Sequence, residues 1–176
     1  MPLTKGYIQV YTGNGKGKTT AALGQVLRAL GHNLTATVIQ FMKGNIEYGE
    51  LAMSKRLAPQ FTLHQMGRDT FVNKKNPDPK DIEMAVEALA LATKCVDEQS
   101  CDILVLDEIN VALDFKLIPL SKVLELLGRK PDRMEILLTG RYAPQAILDR
   151  ADLVTEMTEV KHYYAKGVQA RLGIER

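Results

Sequence analysis

Apolar and polar positions along the chain fall into an alternation of two periods. Short runs rich in β-branched and aromatic residues read as strands: Tyr7 to Thr12 (YIQVYT), Thr35 to Phe41 (TATVIQF), Phe61 to Met66 (FTLHQM), Asp102 to Glu108 (DILVLDE), MEILLTG at 134–140 and DLVTEM at 152–157. Between them lie segments of helical spacing. Thr19 to Leu30 (TTAALGQVLRAL) predicts a helix closed by Gly31 as a left-handed cap. GELAMSKRLA predicts a short helix. A longer one starts at Asp78 as its cap, with Pro79 in the first turn, Asp81 at the positive end and apolar residues at Ile82, Val86, Leu89 and Val96. PLSKVLELLG, ending at Gly128, and PQAILDRA predict two more. The tail VKHYYAKGVQARLGIE shows no clear period.

Strands separated by helices imply right-handed crossovers. The expected fold is therefore α/β: a mainly parallel six-stranded sheet with helices on both faces. The run ILVLD is apolar almost throughout and should be a central strand, buried on both sides. In such sheets ligands gather at the carboxyl ends of the strands. With 176 residues, no repeat and no linker, residues 1–176 read as a single domain.

Composition narrows the class without naming the chemistry. At 45% hydrophobic and 25% charged the chain is that of an ordinary soluble globular protein. A net charge of +2 is too small to argue for nucleic acid, so none is expected as a partner, although it leaves room for a local basic site. No apolar run reaches the ~20 residues of a membrane helix, and the N-terminus lacks a secretory apolar segment. A cytoplasmic location is the default expectation. Cys95 and Cys101 fit neither a disulfide framework nor a paired metal motif, and read as two buried or half-buried thiols.

The chemistry is carried by YTGNGKGKTT, Tyr11 to Thr20. A phosphate loop follows G-x-x-x-x-G-K-[ST], and this chain has Thr12 where the first glycine is usual. Gly13 follows directly, so the loss matters little. Gly13, Gly15 and Gly17 permit a turn whose N–H groups point inward at the start of a helix. Lys18 can reach phosphates as a mobile cation, and the Thr19 hydroxyl can ligate Mg²⁺. A second feature supports the reading: ILVLDE ends an apolar strand in Asp107 and Glu108, the pattern that sets a carboxylate beside Mg²⁺ in nucleotide-binding sheets. Together these predict a single P-loop domain of the RecA-like kind with Mg-nucleoside triphosphate as ligand. They leave the reaction open.

Four further stretches, VIQFMKG, LLTGR, ADLVTEM and the tail, stand in order with VYTGNGKGKTTAALG and LVLDEI. Together they resemble the ATP:corrinoid adenosyltransferases of the CobA/BtuR type, from about Tyr7 to Glu175. The resemblance implies transfer of the 5′-deoxyadenosyl group of ATP to reduced corrinoid cobalt, with release of triphosphate. The corrinoid would be cobalamin, cobinamide or a cobyrinic acid diamide. It also implies Mg²⁺ with the ATP, nucleotide bound in reversed phosphate order, a reduced flavoprotein as electron donor, and a homodimer. By matching position, Asn14, Gly15, Lys16, Gly17, Lys18 and Thr19 would hold the triphosphate, with Thr20 beside them. Lys16 and Lys18 would offset charge building on the leaving group. Thr19 and Glu108 would be the Mg²⁺ partners, Asp107 acting behind them or through water. Glu108 would be a metal or ribose contact rather than a hydrolytic base.

The same resemblance assigns Phe71, in GRDTFVNK, to excluding a lower axial ligand from cobalt. Related enzymes carry a tryptophan two positions on, where this chain has Asn73, and there is no Trp anywhere. Val72 is the expected substitute. The plainer reading of Phe71 is a loop anchor tucked into the core. Some members carry a basic helical extension ahead of the first strand that covers the corrin. Here only about six residues precede that strand, which implies another cover or a more open site. Lys43 and Glu50 flank a loop at the ligand-facing end, with solvated surface as the simpler reading. Arg141, at the same end, could meet phosphate or an amide side chain, or form a structural ion pair. Lys161 and His162 belong to the tail, His162 reading as structural. His32 and His64 read as surface or packing residues, and Lys74 and Lys75 as solvated charge. Two other functions use the same motifs: a P-loop ATPase or kinase with Glu108 as base, and a non-catalytic module that binds corrinoid under ATP control.

Overall fold

Strands buried at every position lie inside the sheet, and the strands at its two edges are partly or wholly exposed. The structure is a computed structural model and describes residues 3–44 and 48–175. Its elements in chain order are β1 (Ile8–Thr12), α1 (Lys18–Leu30), β2 (Ala36–Phe41), α2 (Gly49–Arg56), β3 (Phe61–Met66), α3 (Pro79–Glu98), β4 (Ile103–Asp107), α4 (Ile109–Asp114), α5 (Leu120–Gly128), β5 (Glu135–Thr139), α6 (Gln145–Arg150) and β6 (Leu153–Glu156). A 3₁₀ turn at Tyr163–Lys166 follows. The six strands form one sheet in the order β3-β2-β4-β5-β1-β6, and every pairing is parallel. β2, β4 and β5 are buried along their whole length, whereas β6, at one edge, is exposed along all of its own.

The two-residue period of a strand divides the core in two. Leu104 and Leu106 of β4 join Ile39, Phe41, Ile136 and Leu138 on the face covered by α3, α4, α5 and α6. Ile103 and Val105 join Ala36, Val38 and Leu137 on the face covered by α1, through Ala22, Val26 and Ala29. Both cysteines are free and buried. On α3 the buried stripe consists of Ala85, Ala88, Leu89, Ala92, Cys95 and Val96. Ile82 and Val86, which helped to define the helical period, face outward. Small side chains let the helix lie close to the sheet, so alanine takes the inner positions.

Two local expectations change. Gly31 is right-handed (φ −62°) rather than a left-handed cap. The turn continues through His32, whose N–H reaches Ala29 O, and the left-handed residue is Asn33 (φ 60°). The cap of α3 is as expected: the Asp78 carboxylate accepts from the Lys80 N–H, with Pro79 in the first turn. The pattern along the chain also missed α4, which begins directly after β4. Because all strands run the same way, the segments after β1, β2, β3, β4, β5 and β6 emerge at one end of the sheet.

Candidate active site

The glycine-rich loop leaves β1 at Thr12 and enters α1 at Lys18. Gly13 (φ 92°) and Gly17 (φ 123°) adopt backbone conformations that side chains resist, and a Cβ on Gly13 would lie 2.5 Å from the Met157 carbonyl. The Gly15 N–H donates to that same carbonyl at 2.6 Å, which ties the loop to the end of β6. Thr12 pairs within the sheet and its Oγ1 accepts from Ala143 N at 3.4 Å, so the loop turns without a glycine at that position. Among the described residues no side chain caps the start of α1, whose first-turn N–H groups stand ready for an anion. Lys18 is buried, and its Nζ donates to Gly13 O and Gly15 O at 2.8 and 2.7 Å. Burial lowers its pKa, against the opposing pull of Glu108.

Asp107 is the centre of the polar network. It is wholly buried at the end of β4. Oδ1 accepts from Thr19 Oγ1 (2.8 Å) and Thr139 Oγ1 (2.7 Å). Oδ2 accepts from Lys43 Nζ (2.7 Å) and Gln40 Nε2 (3.3 Å). Burial alone would raise the pKa of this carboxyl, but the Lys43 ammonium and the hydrogen bonds outweigh it and hold the group below its usual range. Glu108 stands next to it, half-buried, in the left-handed region (φ 63°), with its N–H on Thr139 Oγ1. Such a conformation is uncommon for glutamate and turns the chain from β4 straight into α4. Burial first, and then the Asp107 charge, raises the Glu108 pKa.

Lys43 is therefore not solvated surface: it is paired inside the site. Glu50 likewise accepts from Gln40 Nε2 at 3.1 Å. Thr139 and Gln40 were missed as site residues. A polar residue directly after the apolar run of a strand, Gln40 after Val38 and Ile39 and Thr139 after Ile136 to Leu138, was the available signal for both.

A cavity of about 670 Å³ opens in front of the loop. Asn14 to Thr20, Lys43, Glu50, Glu108 and Arg141 line its polar end, and Leu23, Leu27, Leu30, Met53 and Leu57 form an apolar wall. The tail closes one side through His162, Gly173, Ile174 and Glu175. Lys16 Nζ donates to Ile174 O at 3.2 Å. The tail has its own clasp, in which Arg171 and then Tyr163 Oη bond the Glu175 carboxylate, holding its pKa at about 2. The Nδ1 of His162 accepts from Tyr164 N at 3.0 Å, a structural role.

Phe71 lies elsewhere. It is fully exposed, so it is not a core anchor, and it does not line the cavity. Val72, half-buried, packs against the core and does not line the cavity. The loop is held at both ends. Arg68 is bidentate on buried Asp81 (2.8 and 3.0 Å) and also reaches Asp78. Lys74 pairs with Asp114 at 2.6 Å and lies over the Phe115 and Tyr142 rings, so it too is more than solvated charge.

Comparison with known proteins agrees with this geometry. A KaiC-like protein from Pyrococcus horikoshii has the same kind of fold, with a TM-score of 0.56 at 15% identity over 86% of this chain and 72% of that one. Curated relatives are closer in sequence. A corrinoid adenosyltransferase of Pseudomonas aeruginosa is 36% identical over 171 residues, 97% of this chain and 84% of the relative. Corrinoid adenosyltransferases of Escherichia coli K12 and Salmonella typhimurium are each 34% identical, covering 97% of this chain and 86% of theirs. A sequence model described as ATP:corrinoid adenosyltransferase BtuR/CobO/CobP matches residues 4–176. Over nearly its whole length, the chain belongs to the ATP:corrinoid adenosyltransferase family.

Proposed function

We propose that the chain transfers the 5′-deoxyadenosyl group of ATP to the cobalt(I) of a corrinoid in adenosylcobalamin biosynthesis or salvage. The observation that carries this reading is that GNGKGKTT and the tail, the two stretches most particular to the family, line one cavity. The cobalt(I) electron pair forms the bond to C5′, the C5′–O5′ bond breaks, and triphosphate leaves with the electrons. Gly13, Asn14, Gly15, Lys16, Gly17, Lys18, Thr19 and Thr20 make up the cradle. Lys18 leaves its contacts with the loop carbonyls to meet the growing negative charge, and Lys16 joins it at the cavity mouth.

The donors at the polar end suit Mg²⁺, which favours oxygen ligands. The Thr19 hydroxyl donates a hydrogen bond to Asp107, leaving its oxygen lone pairs for an ion, and Glu108 stands beside it. Among the described residues no group of three His, Cys, Asp or Glu side chains is placed to cage a metal, so phosphate and water would complete the shell. When bound, the ion would neutralise triphosphate charge. Phe71 would meet the corrin, and a reduced flavoprotein and a homodimeric assembly accompany the reading. Among the described residues no helix is long and apolar enough to cross a membrane.

The test is anaerobic. Mg-ATP and chemically reduced cob(I)alamin, cobinamide or cobyrinic acid diamide are mixed with the protein, following the corrin spectrum and the phosphate products. A light-sensitive alkylated corrinoid formed together with triphosphate is expected. Steady orthophosphate release with no alkylated product would instead give Glu108 the part of a hydrolytic base, consistent with its raised pKa. Binding of ATP and corrinoid with neither product would mark a non-catalytic module.

A further inference from the structure

The Asp107 carboxylate is already saturated. A carboxylate offers about four acceptor positions, and Thr19, Thr139, Gln40 and Lys43 supply four donors. The only full charge among those donors is the Lys43 ammonium, 2.7 Å from Oδ2. Its placement is built into the backbone. Met42, just before it, is in the left-handed region (φ 59°), uncommon for a side-chain-bearing residue. Gly44, just after it, packs so tightly on Gly67 that a Cβ would lie 1.9 Å from the Gly67 carbonyl. The Tyr48 ring, 5.4 Å from Nζ, faces the ammonium from another side. A buried carboxylate with a fixed ammonium is neutralised before any ligand arrives, and a second cation brought to the same oxygens meets repulsion.

We propose that Lys43 is the resident counter-cation of Asp107, and that it keeps free divalent metal out of the Thr19–Asp107 corner until nucleotide carries the ion in. The inference rests on reading that corner as the place of the metal, not on the identity of the reaction. Phosphate then supplies the charge that lets ion and lysine coexist, with the ion on Thr19 and Glu108 and the ammonium still on Asp107.

The test uses Mn²⁺ alone, without ATP or corrinoid, so failure of the transfer assay and failure of this inference are separate results. Mn²⁺ binding is followed by electron paramagnetic resonance in the wild type, Lys43→Met, Lys43→Arg and the double variant Lys43→Met/Asp107→Asn. Methionine keeps most of the stem and removes the charge. Lys43→Met should bind Mn²⁺ at least about tenfold more tightly than the wild type, the scale expected from removing one close like charge. Lys43→Arg should resemble the wild type, and the double variant should lose the gain. Equal Mn²⁺ affinity in the wild type and Lys43→Met overturns the proposal, as does a gain that survives in the double variant. Should Lys43→Met fail to fold in metal-free buffer, millimolar Mn²⁺ must restore its melting transition, and no restoration is equally fatal to the idea.

Discussion

The corner around Asp107 and the loop around Phe71 both follow strand ends, yet they are built in opposite ways. Around Asp107 the polar groups are buried and paired: a carboxylate with four donors, a lysine folded onto loop carbonyls, a threonine bridging β4 and β5. Around Phe71 the ends are clamped by Arg68 and Lys74, while the aromatic ring between them is bare. On the proposed function, the difference follows from the kind of recognition. Charge must be met by dipoles already in place, because reorienting them during reaction costs free energy. Apolar contact needs no such prior ordering, and an exposed ring costs little until a flat partner covers it.

Substitutions in either region test this contrast. The largest expected effect is on stability. Asp107→Ala leaves the half-buried Lys43 charge and three further donors without their partner and should cost about 3–5 kcal/mol, read from denaturant unfolding. A loss under about 1 kcal/mol would mean that the network relaxes freely and is not prebuilt. Next comes Lys18→Ala, which should lower the transfer rate by about 10²–10³-fold, the scale of losing one positioned donor to a developing charge. Near-normal turnover in the anaerobic assay would take Lys18 out of the reaction.

On the other side, Phe71→Ala should change stability by no more than about 0.5 kcal/mol, as befits an exposed side chain. It should nonetheless slow corrinoid alkylation by about tenfold while ATP binding stays constant, an effect of about 1.4 kcal/mol on the barrier. A large drop in melting temperature would show that the ring packs in solution. Arg68→Ala should raise the KM for corrinoid several-fold and leave that for ATP alone, and Arg68→Lys, unable to make the bidentate contact with Asp81, should behave alike. An equal rise in both KM values would mean that the two regions act as one.

The smallest effect at neutral pH concerns Cys101. Burial raises its thiol from 9.0 to about 11. The unfolded chain therefore releases this proton first as pH rises, and the folded state loses stability between those values, by at most about 1.4 kcal/mol per pH unit. Below pH 9 the thiol is protonated in both states and contributes no slope. Comparing Cys101→Ala with the wild type from pH 8 to 11 isolates this slope, and parallel curves would show that the thiol is open to solvent.

The strands and most helices were legible because their signals are local. ILVL, inside DILVLDE, is apolar without a break, and a two-sided core is what such a strand requires. The phosphate loop was legible for the same reason, since its glycines and lysines are adjacent in sequence. Lys43 was not, because nothing near it in sequence says that Asp107, 64 positions away, will face it. Helix α4 was missed because INVALD is too short for a period to show. The α3 stripe was blurred because alanine, weak as a hydrophobic signal, is what fits closely beneath a helix.

By itself, then, the sequence determined an α/β chain with a phosphate loop at the head of its first helix, a carboxylate pair ending a central strand, and the family to which these belong. Only the tertiary structure decided how the charges are shared: Lys43 on Asp107, Thr139 between two strands, the tail over Lys16, and Phe71 left bare while Val72 turns inward. Hydrophobic period and turn chemistry act over a few residues and are written in order along the chain. Ion pairs and closed cavities depend on which strand ends lie side by side, and the sheet order β3-β2-β4-β5-β1-β6 is set by the packing of the whole domain.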